Sequence, residues 1–106
     1  MTVISINAHQ LKDKIREESP VLIDVREPDE FLICHIEGSI NVPMNVLPSR
    51  LMEFEMDQNI VVICHHGVRS SIACEFLESR GFVQLSNLFG GIDAWAREID
   101  QKMARY

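Results

Sequence analysis

The segment Cys64-His65-His66-Gly67-Val68-Arg69-Ser70 contains the residue types that a nucleophilic site needs. A thiol reacts as its thiolate, so a cysteine kept for chemistry needs hydrogen-bond donors and positive charge close by. Cys64 follows the apolar run Ile60-Val61-Val62-Ile63, and an amphipathic stretch starts at Ser70. So short a loop must curl, which turns its backbone N–H groups toward the cysteine sulfur. The start of the next helix adds positive potential at the same place. Arg69 supplies a permanent cation, and Gly67 permits close backbone approach or positive φ. The loop has no carboxylate of its own to oppose them. These features imply covalent chemistry, with Cys64 attacking a substrate and His65, His66, Gly67, Val68 and Arg69 forming an anion cradle. The Ser70 hydroxyl is placed to orient the loop or the first helical turn. The plain alternative is a buried structural cysteine at a strand end.

The elements that must position this loop alternate along the chain. Val3 to Ile6 is a short strand. Asn7, with Gln10 three residues on, forms a capping box for a helix through about Glu17, with Ala8, Leu11 and Ile15 on one face. Ser19-Pro20 closes it. Val21 to Val25 is nearly all apolar, as expected of a strand covered on both faces. Pro28 opens a short helix, whose neighbours Glu27, Asp29 and Glu30 read as a dipole complement and solvated surface. Ser39 to Val42 is a strand stopped by Pro43, and Pro48 opens a third helix with Leu47, Leu51 and Phe54 on one face. Ile60 to Ile63 is the strongest strand signal. Ser70 to Arg80 reads as a helix with Ile72, Ala73, Phe76 and Leu77 inward and Gly81 as its stop. Phe82 to Leu88 is a last strand. Gly90-Gly91 turns the chain into a final helix with Ile92, Trp95, Ala96, Ile99 and Met103 on one stripe. Strands alternating with helices predict an α/β fold with a mostly parallel sheet, one domain over residues 1–106. Ligands of such sheets sit beyond the carboxyl ends of the strands, where Cys64 lies.

The bulk numbers narrow the function. A chain of 106 residues buries about two-thirds of its unfolded surface, enough for one core without staples. A net charge of −6 disfavours phosphate backbones and anionic lipid, so neither nucleic-acid nor membrane binding is expected. The N-terminus lacks the pattern of a signal peptide, and no apolar run reaches the length of a membrane span. Three cysteines (Cys34, Cys64 and Cys74), without C-x-x-C spacing, argue against a disulfide framework or zinc site and suit a reducing, cytoplasmic location.

Cysteine, four residues, then arginine resembles the active-site loop of the rhodanese-like sulfurtransferases. Two further segments agree. Asp24-Val25-Arg26-Glu27 followed by His35-Ile36-Glu37-Gly38-Ser39-Ile40-Asn41-Val42-Pro43 is similar to the family's early signature, and Gly90-Gly91-Ile92-Asp93-Ala94-Trp95 to its late one. The resemblance implies a three-layer rhodanese-like fold, a five-stranded mostly parallel sheet flanked by helices on both faces. It also implies sulfur transfer through a Cys64 persulfide. The donor would be thiosulfate or another persulfide; the acceptor would be cyanide in an assay, or a thiol or protein in a cell. Arg69 would steer the anionic donor. Neither cofactor nor metal is called for. Two alternatives stay open: a recognition module of the same fold without turnover, and a cysteine phosphatase or arsenate reductase, whose related cradle is one residue longer.

Other residues carry less. One of His65 and His66 is expected to face solvent and the other to pack on the loop, or an imidazole selects the donor or shuttles a proton. Adjacent histidines do not easily point at one ion. Cys34 stands where the family usually has glycine, as drift or as a resolving thiol for Cys64. Cys74 is expected half-buried. Asp24 and Arg26 either tune the pocket or form a structural ion pair. Trp95 reads as core, and His9 as inert helix surface.

Overall fold

The computed structural model describes residues 3–106. Strand β1 (Val3–Ile6) leads into helix α1 (Ala8–Glu18). The capping box forms as expected: Asn7 Oδ1 accepts from Gln10 N and Gln10 Oε1 from Asn7 N, both at 2.8 Å. Strand β2 (Val21–Asp24) is followed by helix α2 (Pro28–Ile33) and by β3, which pairs only through Ile40–Asn41. A seven-residue 3-10 helix (Leu47–Glu53) precedes β4 (Asn59–Ile63), and then come α3 (Val68–Ser79), β5 (Gln84–Leu88) and α4 (Gly91–Glu98).

The strands lie in the order β1-β5-β4-β2-β3, all paired parallel. The most apolar strand, β4, is therefore central, and β2 and β5 flank it. Its side chains alternate between two cores. Ile60, Val62 and Cys64 pack with Ala73, Cys74 and Leu77 of α3 and with Leu47 and Phe54 around the 3-10 helix. Val61 and Ile63 pack with Leu11 of α1 and with Ile92, Ala94 and Trp95 of α4. Each of the valine and isoleucine side chains of β4, fully buried, contributes about 1.5–3 kcal/mol relative to exposure. Helices thus cover both faces, and no described helix is long and apolar enough to cross a membrane.

Several elements depart from the sequence reading for local reasons. The segment expected as a third helix winds as 3-10: Ser49 N bonds to Val46 O and Phe54 N to Leu51 O, three residues apart. Pro48 does open the segment, in a first turn where its missing N–H is tolerated, but the winding is the tighter 3-10 kind. Strand β5 begins at Gln84, not Phe82, because Phe82 N instead bonds to Leu77 O and closes α3. Helix α3 is rotated relative to the expected stripe. Ser70, Ala73, Cys74 and Leu77 face inward, Ile72 is exposed, and Cys74 is fully buried rather than half-buried. Three of the four inward positions are small or polar, so hydrophobicity alone did not mark that face. Met103 lies beyond the end of α4, though it still packs on the same core.

Candidate active site

The carboxyl ends of β2, β4 and β5 bring three connections to one edge of the sheet, and the motif loop is the middle one. It is shorter than the sequence suggests. Helix α3 begins at Val68, so Val68 and Arg69 belong to its first turn and the loop is residues 65–67. Gly67 causes this: with φ at +106° it turns the chain as the N-cap, and Ser71 N bonds to its carbonyl at 3.2 Å. An added Cβ at Gly67 would stand 3.3 Å from Leu88 O and Gly90 N.

The loop is gripped from below by the start of α4. Ile92 N donates to Cys64 O at 2.8 Å and Asp93 N to His65 O at 3.1 Å. Gly91, at φ +60°, lies so close that an added Cβ would be 2.5 Å from Cys64 O and nearer still to His65 O. Gly91→Ala must therefore push the loop away. The expected cost is at least about 2 kcal/mol, from left-handed strain plus overpacking. Urea unfolding should show it, together with a changed alkylation rate of Cys64.

The Cys64 side chain is only 1% exposed. Its sulfur belongs to a closed ring of hydrogen bonds. Gly67 N donates to Sγ at 3.0 Å, and Ser70 Oγ lies 3.2 Å from the same atom. Ser70 Oγ in turn donates to Asn87 Oδ1. Asn87 Nδ2 donates to Gly67 O at 3.2 Å, which closes the ring. A buried amide on β5 thus fixes both the Gly67 peptide and the Ser70 hydroxyl against the sulfur.

Arg69 does not stand as a free cation. Its Nη1 and Nη2 donate to Glu30 Oε1 and Oε2 at 2.7 and 2.9 Å, a two-pronged bridge from α3 to α2. Glu30 also accepts from Glu27 N at 2.9 Å and from the Tyr106 hydroxyl at 2.9 Å. So one member of the acidic run read as solvated surface faces the site. The Arg69 hydrogen bonds hold the Glu30 carboxyl down at about 2, against burial, with Glu27 N and Tyr106 assisting. The Arg69 guanidinium is raised in turn, first by those hydrogen bonds and then by the charges of Glu30 and Cys64.

A depressed carboxylate stabilises the fold fully above its unfolded value, near 4.5, and the contribution is lost as pH falls toward 2. Unfolding midpoints measured across that window should fall with acid in the native protein. In Glu30→Gln they should fall less.

Behind this bridge lies the Asp24–Arg26 pair, with both side chains wholly buried. Arg26 Nη2 and Nε meet Asp24 at 2.7 and 2.9 Å, and the guanidinium also donates to Cys34 O at 2.6 Å and Tyr106 Oη at 2.8 Å. Burial alone would lower the Arg26 guanidinium, but the Asp24 and Tyr106 hydrogen bonds outweigh it and raise it. Tyr106 joins the two ion pairs and stacks on His65 with ring centres 4.0 Å apart.

His66 is exposed, and His65 is half-buried between it and Tyr106. Burial first, then His66, pulls the His65 imidazole below its ordinary value. Donor atoms of His65, His66 and Asp93 lie within 4.8 Å of one another, but Asp93 is shared by Arg97 and Arg105, each at 3.0 Å. A cation there would face two guanidinium groups. Cys34 has extended backbone (φ −165°), which explains why a side chain is tolerated where glycine is usual. Its side chain packs in the core on the α1 and α4 side, whereas Cys64 packs on the α3 side. Burial pushes the Cys74 thiol up to about 12.

Three residues of this site escaped the sequence reading. Glu30 carries a signal, since α2 begins just past the β2 edge and its first turn must lie near Cys64. Asn87 carries a weaker one, as a polar residue at the carboxyl end of its strand, in register with Val62 of the central strand. Tyr106 carries none.

Residues 7–98 match the model of the rhodanese-like domain. A sulfurtransferase from Allochromatium vinosum is 35% identical over 96 residues, 90% of each chain. The thiosulfate sulfurtransferase GlpE of Pseudoalteromonas translucida is 31% identical over 100 residues, covering 94% of this chain and 95% of that one. Among solved structures, a rhodanese-related protein from Thermoplasma volcanium is 38% identical with a TM-score of 0.82, covering 91% of this chain and 93% of that one. The chain belongs to the rhodanese-like domain family.

Proposed function

We propose that this protein is a cytoplasmic sulfurtransferase that moves sulfane sulfur from thiosulfate or a persulfide to a thiophilic acceptor through a persulfide on Cys64. The observation that carries this reading is the Cys64 sulfur held by Gly67 N–H and the Ser70 hydroxyl at the start of α3. The Gly67 N–H aimed at the sulfur, and a Ser70 hydroxyl able to turn its hydrogen toward it, favour the anionic forms, thiolate and persulfide alike. The Cys64 thiolate attacks the outer sulfur of the donor, the donor's S–S bond breaks, and its electron pair leaves with sulfite or a thiolate. The acceptor, cyanide in vitro or a thiol or protein in the cell, then takes the outer sulfur and returns Cys64 as thiolate. Gly67 and Ser70 stabilise the charged sulfur, and Arg69 the negative charge developing on the donor. His65, His66 and Val68 line the approach.

Intact mass before and after a sulfur donor tests the reading. One added sulfur that disappears on cyanide treatment is the expected result. No gain from thiosulfate or from any persulfide, on protein with a free Cys64 thiol, would leave the recognition module as the better description.

A further inference from the structure

We propose that Glu30 is a specificity-determining residue that turns the enzyme toward persulfide donors and away from dianionic donors such as thiosulfate. The inference rests on the sulfur-transfer reading of Cys64 and names the donor class that this particular site favours. A sulfonate or similar oxyanion is best recognised by the paired N–H groups of a guanidinium, used two at a time. In this protein the end-on pair of Arg69, Nη1 and Nη2, is already turned onto Glu30. That carboxylate is anchored by four hydrogen bonds: two from Arg69, one from Glu27 N and one from the Tyr106 hydroxyl. Tyr106 is itself fixed by Arg26 and by its stack on His65. Glu30 stays ionised through the whole working range of pH, so acid does not unmask Arg69.

The charge balance follows. Arg69 and Glu30 cancel, and so do Arg26 and Asp24 behind them. A dianion must either displace Glu30 or sit beside it, and both oppose binding. A persulfide, R–S–SH, needs no such receptor. The Cys64 thiolate attacks its outer sulfur, the S–S bond breaks, and R–S⁻ leaves with the electron pair. The products, Cys64–S–SH and R–S⁻, carry the same single charge as the reactants. The single charge gathering on R–S⁻ asks less of the Arg69–Glu30 pair than the two charges and three oxygens of thiosulfate do.

The test is the second-order rate of sulfur gain at Cys64, followed by intact mass, with thiosulfate and with the persulfide of 2-mercaptoethanol, which carries no carboxylate, as donors. The native chain should load faster from the persulfide. Glu30→Gln frees the Arg69 fork of its fixed anion, and should raise the thiosulfate-to-persulfide rate ratio about tenfold. Tyr106→Phe removes one anchor of Glu30 without touching the bridge, and should raise the ratio by less. It also serves if Glu30→Gln fails to fold by thermal melting. A ratio that stays constant or falls in folded variants would overturn the inference and make Glu30 a support for Arg69 instead. If the native chain loads from neither donor, the sulfur-transfer reading fails first and this inference goes with it.

Discussion

Cys64→Ser should show no mass gain with thiosulfate or glutathione persulfide, and turnover should fall by at least about a thousandfold. The substituted hydroxyl still fits the ring formed by Gly67, Ser70 and Asn87, so the loop keeps its shape and the loss is chemical. Oxygen cannot replace the sulfur that forms the new S–S bond. The remaining thiols act as internal controls, since Cys34 is buried in the other core and Cys74 is buried with its thiol pushed up to about 12. A sulfur retained by the Cys64→Ser protein would place the carrier elsewhere and sink the mechanism.

The largest effect on stability is expected at Arg26. Arg26→Met leaves Asp24 buried without its partner and deprives Cys34 O and Tyr106 Oη of their donor. Breaking a buried ion pair from one side costs about 3–5 kcal/mol, which urea titration resolves readily. The double variant Asp24→Asn with Arg26→Met should recover much of it, because no bare charge is then left inside. If the double variant is as unstable as the single one, the guanidinium matters for its bonds to Cys34 and Tyr106 rather than for its charge.

The fold was legible because local signals and global need coincide in this chain. The Asn7–Gln10 box, the apolar run 60–63 and Gly90-Gly91 each permit one role, and each takes it. The site was legible only where it is contiguous. Cys64, Gly67 and Ser70 meet as their spacing implies. Glu30 and Tyr106 reach Arg69 and Arg26 from positions 39 and 80 residues away in the chain, and periodicity carries no information about such pairings. The face of α3 was misjudged for a related reason. Its inward side is chosen by the hydrogen bonds of Ser70 and the small volume of Cys74, and an apolar pattern cannot see either.

The ring around the sulfur has one more consequence. A hydroxyl owns a single hydrogen, yet Ser70 lies between two claimants, the Cys64 sulfur and the Asn87 carbonyl oxygen. While Cys64 is a thiol, its own hydrogen can satisfy Ser70 and the Ser70 hydrogen can serve Asn87. Once the sulfur is anionic, the same hydrogen must swing toward it, and the Asn87 oxygen is left bare. Asn87 cannot follow by flipping its amide, because its nitrogen is engaged with Gly67 O. Sulfur transfer through Cys64 would therefore reverse one O–H rotor in each cycle.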